Sequence, residues 1–476
     1  MTAPLHYQTI AELAPQLASR SLSPVELTRA MLERIAVHDP HLHAYATVMA
    51  DHALAQAQAA ERDIAAGRYR GPLHGVPVAV KDLCCTAGVP TMGGCKVLAD
   101  HVPDFDATVV TRLRQAGAVL LGKLNLTEGA MAGYNPDFEV PENPWKKEHW
   151  SGASSSGCGA ATAAGLAFGT LGSDTGGSIR HPAAACGTVG LKPTWGRVSR
   201  YGVLDLAQSL DHVGPLTRSS YDAGVMSETI AGHDPNDPTS LCMAPPPWQP
   251  TVAASDAKPL AGMRVGWDEH YASEDMAADF SAAVKHSAEV LERLGAAIIA
   301  VKMPPRLREY MAAWQVLCSS EAAHAHRNTY PSRAMDYGLW FREWLEQGSR
   351  YSSRDYADAH FLRAACNGEL AVTMQSIDVL ACPSTPRAAY PVTAQRSYGP
   401  IPANRDPWDS RFTVPADYAG LPTLSLPCGL SAQGGLPLSF QLMGHRLSEA
   451  QLVYIGTAFE GATGWHTLHP PEWWLD

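Results

Sequence analysis

The spacing of apolar residues predicts three helices at the start of the chain. Apolar positions recur at helical intervals over residues 7–20. A Ser-Pro-Val-Glu run at 23–26 combines a capping serine, a first-turn proline and a capping-box acid, and it predicts a second helix ending near His38. An alanine-rich third helix is expected at about 52–66. We therefore expect residues 1–70 to form a helical layer against the rest of the domain.

Short apolar runs rich in β-branched residues predict buried strands further along the chain. Residues 76–80 and 118–123 are two such runs, and a helical pattern at 107–116 separates them. This order predicts a parallel pair joined by a right-handed crossover. Similar patterns predict strands at 263–267, 297–303, 379–383, 423–426 and 438–443, and helices at about 276–294 and 448–460. We expect an α/β fold: one large domain over residues 1–476, with a mixed, largely parallel β-sheet sandwiched between helices.

Two segments interrupt this alternation. Residues 233–260 are rich in Pro, Asp and Ala, and they predict a long surface connection. The section at about 305–376 is helical and rich in aromatic residues, and we expect it to form a helical insertion over a pocket. Its aromatic side chains either form an apolar lid or, for most of them, belong to the core stripe of amphipathic helices. These residues are Trp314, Tyr337, Trp340, Phe341 and Trp344.

Composition and charge narrow the class of protein. Of 476 residues, 46% are hydrophobic and 17% are charged, which is ordinary for a globular chain. The net charge of −11 argues against nucleic-acid binding, which needs a basic face. We find no run of about 18 apolar residues and no export signal, so we expect a cytoplasmic protein without a membrane span. The 10 cysteines lack C-x-x-C spacing and are expected to be reduced and mostly buried.

Three small-residue segments carry the candidate chemistry. Residues 174–178 read Asp-Thr-Gly-Gly-Ser, and they can direct several backbone N–H groups at one point beside the Ser178 hydroxyl, as an oxyanion and a nucleophile require. Lys81 ends an apolar run, and a buried amine can lose its proton and act as a base. The serine-rich run at 151–157 could carry the proton between them. Each segment also has an ordinary structural explanation. Residues 174–178 could be a glycine-rich turn, Lys81 a surface lysine at a strand end, and the serine run a helix cap.

Other hydrolytic chemistries find less support in the sequence. His41 with His43, and His324 with His326, form H-x-H pairs that lack further ligands at metal-site spacing, so we expect surface histidines and no metal. Cys158 has no histidine near it in the sequence and is expected to be a small core thiol. No Gly-x-Ser-x-Gly elbow and no phosphate-binding loop occurs. We therefore expect no cofactor.

The three segments together resemble the amidase signature family. That family carries Gly-Val-Pro-x-x-Val-Lys-Asp, then Gly-Gly-Ser-Ser-Gly-Gly-Ser, then Gly-Ser-Asp-Thr-Gly-Gly-Ser-Ile-Arg-x-Pro-Ala. Residues 75–82 and 172–183 match the first and third motifs at every fixed position. Residues 152–158 read Gly-Ala-Ser-Ser-Ser-Gly-Cys and depart from the second. Further similar segments lie at 196–202, 209–217, 412–416 and 419–422, and the resemblance spans about residues 5–465.

The resemblance implies a role for each motif. Ser178 would be the nucleophile, Ser154 the bridging serine and Lys81 the base. Ser154 takes the place of the first serine of the family's pair, while Ser155 and Ser156 stay open as alternatives. The residue before the bridging serine would be joined to it by a cis peptide bond, here Ala153–Ser154. The oxyanion hole would be formed by the backbone of four consecutive residues, Thr175, Gly176, Gly177 and Ser178.

The resemblance also places residues 125–135 beside the active site. The implied substrate contacts are Met131, Gly133, Tyr134 and Ile179. For Met131 and Tyr134, ordinary packing is an equal alternative. The section at 305–376 corresponds to a region that varies between family members and would act as the substrate lid.

The function implied by the resemblance is hydrolysis of the C–N bond of a linear amide. We expect a small, aryl- or alkyl-substituted amide as substrate and an acyl-enzyme on Ser178, with carbamate and aryl-ester cleavage left open. The alternative is the glutaminase (A-type) subunit of a tRNA-dependent amidotransferase, which would use the same residues inside a complex. The aromatic section and the departures in the serine motif favour the stand-alone hydrolase. We expect a small-molecule partner, no nucleic-acid or membrane partner, and leave a homodimer open.

Overall fold

A computed structural model describes residues 4–243 and 258–475 as an eleven-stranded sheet flanked by helices. The strands are β1 (Tyr45–Val48), β2 (Pro77–Lys81), β3 (Val119–Leu124), β4 (Gly169–Asp174), β5 (Val189–Lys192), β6 (His212–Thr217), β7 (Arg264–Trp267), β8 (Ala297–Ala300), β9 (Val379–Pro383), β10 (Thr423–Leu430) and β11 (Pro437–Gly444). The middle of the connection predicted at 233–260 and the first three residues of the N-terminal layer lie outside the described residues.

The α-helices alternate with these strands along much of the chain. They are α1 (Ile10–Ala18), α2 (Pro24–Leu42), α3 (Ala50–Ala65), α4 (Thr108–Gln115), α5 (Ser156–Ala163), α6 (Arg180–Cys186), α7 (Ser220–Ile230), α8 (Glu269–Ser273), α9 (Ala278–Arg293), α10 (Leu307–Ala325), α11 (Leu339–Arg350), α12 (Ser353–Met374), α13 (Ala394–Tyr398), α14 (Val414–Ala419) and α15 (Glu449–Thr463). None of the described helices is both long and apolar enough to cross a lipid bilayer.

The sheet is mixed, as predicted, with the strand order β1-β3-β2-β4-β6-β5-β10-β11-β9-β7-β8. Parallel pairing is confined to its two flanks, at β2–β3, β2–β4, β7–β8 and β7–β9. All pairings of the central strands β6, β5, β10 and β11 are antiparallel. The expectation of a largely parallel sheet is therefore wrong. At β10–β11 the cause is the six-residue return at 431–436, which is too short for a crossover and therefore requires antiparallel pairing.

The N-terminal layer contains the three predicted helices and two features that the pattern did not predict. Strand β1 pairs with the edge of β3, although its four residues show no apolar alternation. Helix α2 also continues through Pro40. A proline so near the end of a helix leaves only one carbonyl without its intrahelical donor. The Asp39 carboxylate then accepts the Ala44 N–H at 2.8 Å and holds the exit of the helix.

The predicted strands on either side of α4 are confirmed and bring two functional segments together. Strand β2 ends at Lys81 and pairs in parallel with both β3 and β4. Strand β4 was not predicted, because Gly169-Thr-Leu-Gly-Ser-Asp contains one large apolar residue, yet all six residues are buried. Since the carboxyl ends of parallel neighbours meet at one edge of the sheet, Lys81 and the turn after Asp174 lie side by side.

The section at 305–376 is helical, as predicted, and forms α10, α11 and α12. Phe341 and Trp344 are fully buried in the main hydrophobic core, so the core-stripe interpretation is confirmed for them. Trp314 and Trp340 are buried in the same core and also border cavities. Helices α10 and α11 thus combine core packing with the walls of the two cavities.

A buried acid fastens the N-terminal layer to the sheet domain. Asp222 in α7 accepts the N–H of Ile10 at 2.9 Å and that of Ala11 at 3.1 Å, and so satisfies the first turn of α1.

We expect Asp222→Ala to lower the free energy of unfolding in urea by about 1–3 kcal/mol, because it leaves two N–H groups without an acceptor. Glu33→Ala, on the exposed side of α2, is the control and should change the free energy of unfolding by less than about 0.5 kcal/mol. Equal values for the two variants would contradict the fastening role of Asp222.

Candidate active site

Lys81 lies in the interior, in contact with hydroxyl groups. Its side chain is fully buried, and Nζ donates to Ser154 Oγ at 2.7 Å and to Ser173 Oγ at 2.8 Å. Burial lowers the pKa of Lys81 to about 8, although the charge of Asp174 acts in the opposite direction. The surface-lysine alternative is therefore wrong. With this pKa about a tenth of the amine is neutral at pH 7, far more than for an ordinary lysine, and the neutral form is the one that a general base requires.

The serine run divides into three separate environments. Ser154 follows a cis peptide bond from Ala153, as the family resemblance implied, and its hydroxyl accepts from Lys81. Ser155 Oγ bonds the backbone of Ser173 instead. Ser156 Oγ accepts from the Tyr134 hydroxyl at 2.9 Å. None of these side chains caps α5, so the capping alternative is wrong, and Ser154 is the serine of the run that contacts the lysine.

The turn from Asp174 to Ser178 is wound around a buried carboxylate. Asp174 Oδ1 accepts the Gly177 N–H at 2.6 Å, and Oδ2 accepts the Ile179 N–H at 3.0 Å. Two nitrogens of the Arg180 guanidinium donate to the same carboxylate at 2.9 and 3.0 Å. Burial opposes ionisation of Asp174, but the Arg180 charge outweighs it and holds the pKa well below its usual range. The turn therefore encloses a permanent anion.

Two glycines allow the backbone of this turn to adopt its shape. Gly177 has φ +132°, and an added Cβ would lie 2.4 Å from His181 Cε1. At Gly176 an added Cβ would lie 2.5 Å from Trp314 Cζ2. A bare peptide face at both positions lets the flanking side chains pack against the backbone itself.

The hydrogen bonds of the turn correct the expectation that all four backbone N–H groups from Thr175 to Ser178 form the oxyanion hole. The Gly177 N–H is engaged by Asp174, so it is not a free donor for an oxyanion. Within residues 4–243 and 258–475, no acceptor pairs with the N–H groups of Thr175, Gly176 or Ser178. These three remain as candidate oxyanion donors.

Two residues that the sequence analysis did not place at the turn hold it from outside. Asp211 Oδ1 accepts the Thr175 hydroxyl at 2.5 Å and also the Ala207 N–H. Trp314 Nε1 donates to the Thr175 carbonyl at 3.0 Å. Asp211 falls in the segment 209–217 that resembles the family, which was the available signal. Trp314 was expected in an apolar lid or in the core stripe, and not as a hydrogen-bond donor to the turn.

Ser178 borders a chamber of about 230 Å³, called here the inner chamber. Met131, Leu206 and Trp314 supply apolar walls. Ala132, Trp150 and Ala153 are shared with an adjoining outer chamber of about 540 Å³. The nucleophile candidate therefore borders a small chamber, apolar on one side, that continues into a larger one.

The predicted substrate contacts divide between these chambers and the core. Met131 lines the inner chamber, and Gly133 and Tyr134 line the outer one. Ile179 is fully buried, and its side chain lies 3.1 Å from where a Cβ would stand at Gly190 and at Gly214. Because Ile179 packs onto the sheet and borders neither chamber, the expectation that it contacts the substrate is wrong.

The cysteine and histidine residues that the sequence analysis weighed as a nucleophile or as metal ligands have other partners in the structure. Cys158 Sγ donates to the Leu171 carbonyl, and burial raises the pKa of its thiol to about 12. His326 Nδ1 is hydrogen-bonded to the Tyr337 hydroxyl at 2.9 Å. In the described part of the chain, no three His, Cys, Asp or Glu residues group as metal ligands would.

Comparison with known proteins gives the family. The family model described as Amidase matches residues 26–453. The chain is 43% identical to the Mycobacterium tuberculosis protein that carries the name amidase AmiD, over 97% of this chain and 95% of that protein. It is 38% identical to the A-type subunit of the glutamyl-tRNA(Gln) amidotransferase of Thermosynechococcus vestitus, over 97% of this chain and 99% of that protein. The peptide amidase of Stenotrophomonas maltophilia matches with a TM-score of 0.81 at 30% identity, over 97% of this chain and 98% of that one.

The chain therefore belongs to the amidase signature family, as its motifs predicted. It is an amidohydrolase that acts on C–N amide bonds, and its α/β fold around a large mixed sheet is that of the solved family members.

We expect Gly177→Ala to lower kcat/KM for amide hydrolysis by about 10²- to 10³-fold, the loss typical of a displaced oxyanion donor. The added methyl group must displace His181 or change φ, and either shift moves the neighbouring N–H groups. Gly368→Ala is the matched control, because nothing lies within 4 Å of an added Cβ there. Circular dichroism establishes that both variants are folded. Wild-type kcat/KM for Gly177→Ala would show that the turn does not need this glycine.

Proposed function

We propose that the protein is a stand-alone amidase that forms an acyl-enzyme on Ser178, with Ser154 and Lys81 as the proton relay. The observation that carries this proposal is the 2.7 Å contact between the buried Lys81 amine and Ser154 Oγ. It supplies a base with a lowered pKa and a bridging hydroxyl. The next residue, Ser155, donates its N–H to the Ser178 carbonyl at 3.3 Å, so the serine run contacts the turn that ends at Ser178. A base, a relay and a half-buried serine at the wall of a chamber are the parts of nucleophilic catalysis.

The proposed first step forms the acyl-enzyme. Ser178 Oγ attacks the amide carbon while its proton passes to Ser154 Oγ, and the Ser154 proton passes to neutral Lys81 Nζ. The carbonyl oxygen becomes an oxyanion, which accepts hydrogen bonds from the free backbone N–H groups of the turn. Collapse of this intermediate breaks the C–N bond, and the relay returns one proton to the leaving nitrogen. The products of the step are a free amine and an ester on Ser178.

The second step releases the acid. Water attacks the ester carbon and gives a proton to the same relay, and the second tetrahedral intermediate collapses with Ser178 Oγ as leaving group. The relay returns the proton to Ser178. The net reaction consumes one water for each amide cleaved and needs no cofactor.

The inner chamber supports a small alkyl or aryl amide as substrate. Its walls at Met131, Leu206 and Trp314 are apolar, and about 230 Å³ is the space of a small acyl or aryl group. Carbamates and aryl esters present the same carbonyl to the turn, so we include them as possible substrates.

A second candidate is the glutaminase (A-type) subunit of a tRNA-dependent amidotransferase. The near-complete match to such a subunit at 38% identity favours it. Turnover of alkyl or aryl amides by the purified chain, without activity on glutamine, would exclude it. Glutamine hydrolysis that requires a second protein would exclude the stand-alone enzyme.

We expect Ser178→Ala to reduce amide turnover by about 10⁴-fold or more with the fold intact, because the attacking oxygen is lost. Cys158→Ser is the control: a serine can keep the hydrogen bond to the Leu171 carbonyl, so activity should be retained. The measurement is amine release from primary amides, anilides and carbamates, and nitrophenol release from nitrophenyl esters. Activity lost in Cys158→Ser and retained in Ser178→Ala would assign the nucleophile to the thiol.

We expect kcat/KM to rise with pH and to level off above about pH 8, because the base form of Lys81 is the deprotonated one and its pKa is lowered to about 8. Thermal unfolding at each pH serves as the control for loss of the fold. A profile that is flat from about pH 5 to pH 9 would contradict a lysine base.

A further inference from the structure

The inner chamber carries a positive charge that the protein does not neutralise. Its ionisable lining, apart from Tyr390, consists of His181, Arg387, Arg405 and Asp409. Arg387 and Asp409 form an ion pair at 2.6 Å. Burial lowers the pKa of His181 to about 4, so this imidazole is neutral. Arg405 has no ion-pair partner within residues 4–243 and 258–475, which leaves the chamber with one net positive charge.

Arg405 is held in a fixed place at the junction of the two chambers. Its side chain lines both of them. The guanidinium lies 5.6 Å from the centre of the Trp340 ring and 5.3 Å from that of Trp344. One nitrogen donates to Gln315 Oε1 at 3.5 Å, a long contact. The two indoles hold the cation by cation–π attraction and leave most of its five N–H donors for a ligand.

We propose that Arg405 binds a carboxylate of the substrate, so that the preferred amides of this enzyme carry a carboxylate group away from the scissile bond. A planar guanidinium with free donors matches a carboxylate through two parallel hydrogen bonds. Partial removal of both groups from water strengthens this contact. The inference rests on the proposed amidase function and names the chemical class of its substrate.

The test compares one neutral and two anionic anilides. Butyryl-4-nitroanilide is the neutral reference, succinyl-4-nitroanilide adds a carboxylate on the acyl side, and N-butyryl-5-amino-2-nitrobenzoate adds one on the leaving group. We expect at least one anionic substrate to exceed the neutral one in kcat/KM by about 10- to 100-fold, the value of a charge-assisted contact. Arg405→Gln should abolish this ratio, and Arg405→Lys, which keeps the charge and loses the fork, should reduce it.

Arg308→Gln is the control for a general effect of charge. Arg308 lies on the same side of the molecule, 3.6 Å from Asp406 and above Trp408, but borders neither chamber. We expect this variant to keep the wild-type ratio. The ratio compares two substrates in one preparation, so an unfolded fraction cancels. Equal kcat/KM for all three substrates in the wild type, a ratio that survives Arg405→Gln, or one lost equally in Arg308→Gln, would overturn the inference.

Binding separates this inference from the proposed function. In the Ser178→Ala background, calorimetry should show tighter binding of an anionic than of the neutral anilide, and the further change Arg405→Gln should remove the difference. Selective binding without turnover in the wild type would refute the proposed amidase and leave the carboxylate site. Turnover of all three anilides without selectivity would refute only the carboxylate site.

Discussion

The geometry of the active-site turn depends on the buried ion pair between Asp174 and Arg180. Both side chains are fully buried. One residue ends β4 and the other begins α6, so the intervening backbone must pass around the shared charge. To leave one member of such a pair buried alone costs about 3–5 kcal/mol. The N–H groups of Gly177 and Ile179 donate to the Asp174 carboxylate and complete the shell around it. The other N–H groups of the turn, those of Thr175, Gly176 and Ser178, have no acceptor among the described residues.

The same guanidinium connects the turn to a distant part of the chain. Arg180 donates to the Thr413 carbonyl at 2.9 Å and to Asp417 Oδ2 at 2.7 Å, both at α14.

Lys81 and its neighbour in the sheet, Lys123, are both buried but have different partners. Lys123 Nζ lies 3.0 Å from the Asp82 carboxylate, whereas Lys81 Nζ donates to hydroxyls. Of these two buried lysines, one is paired with a carboxylate and the other has hydroxyl partners and a lowered pKa.

The motifs of the sequence identified Lys81, Ser178 and the serine run as candidate site residues, because short runs of residues determine local backbone shape. The pattern also predicted the strands on either side of α4, where β-branched residues are dense. It could not predict β4, whose burial comes from neighbours on both sides, nor that Ile179 packs onto the sheet. Trp314 binds the Thr175 carbonyl across 139 residues of chain, a contact that no local spacing encodes. The antiparallel centre of the sheet likewise follows from returns of the chain and not from the composition of its strands.

In the proposed mechanism, the groups that react and the residues that line the outer chamber come from different segments of the chain. Lys81, Ser154 and Ser178 come from the ends of β2 and β4 and the segment before α5, whereas residues 387–411 and Trp340 form much of the outer chamber. On this proposal, an exchange of a side chain in the outer chamber would alter which molecules enter without moving the groups that react. In evolutionary terms, a lineage built on this fold can drift between substrates by single substitutions while its reaction chemistry stays under strict selection.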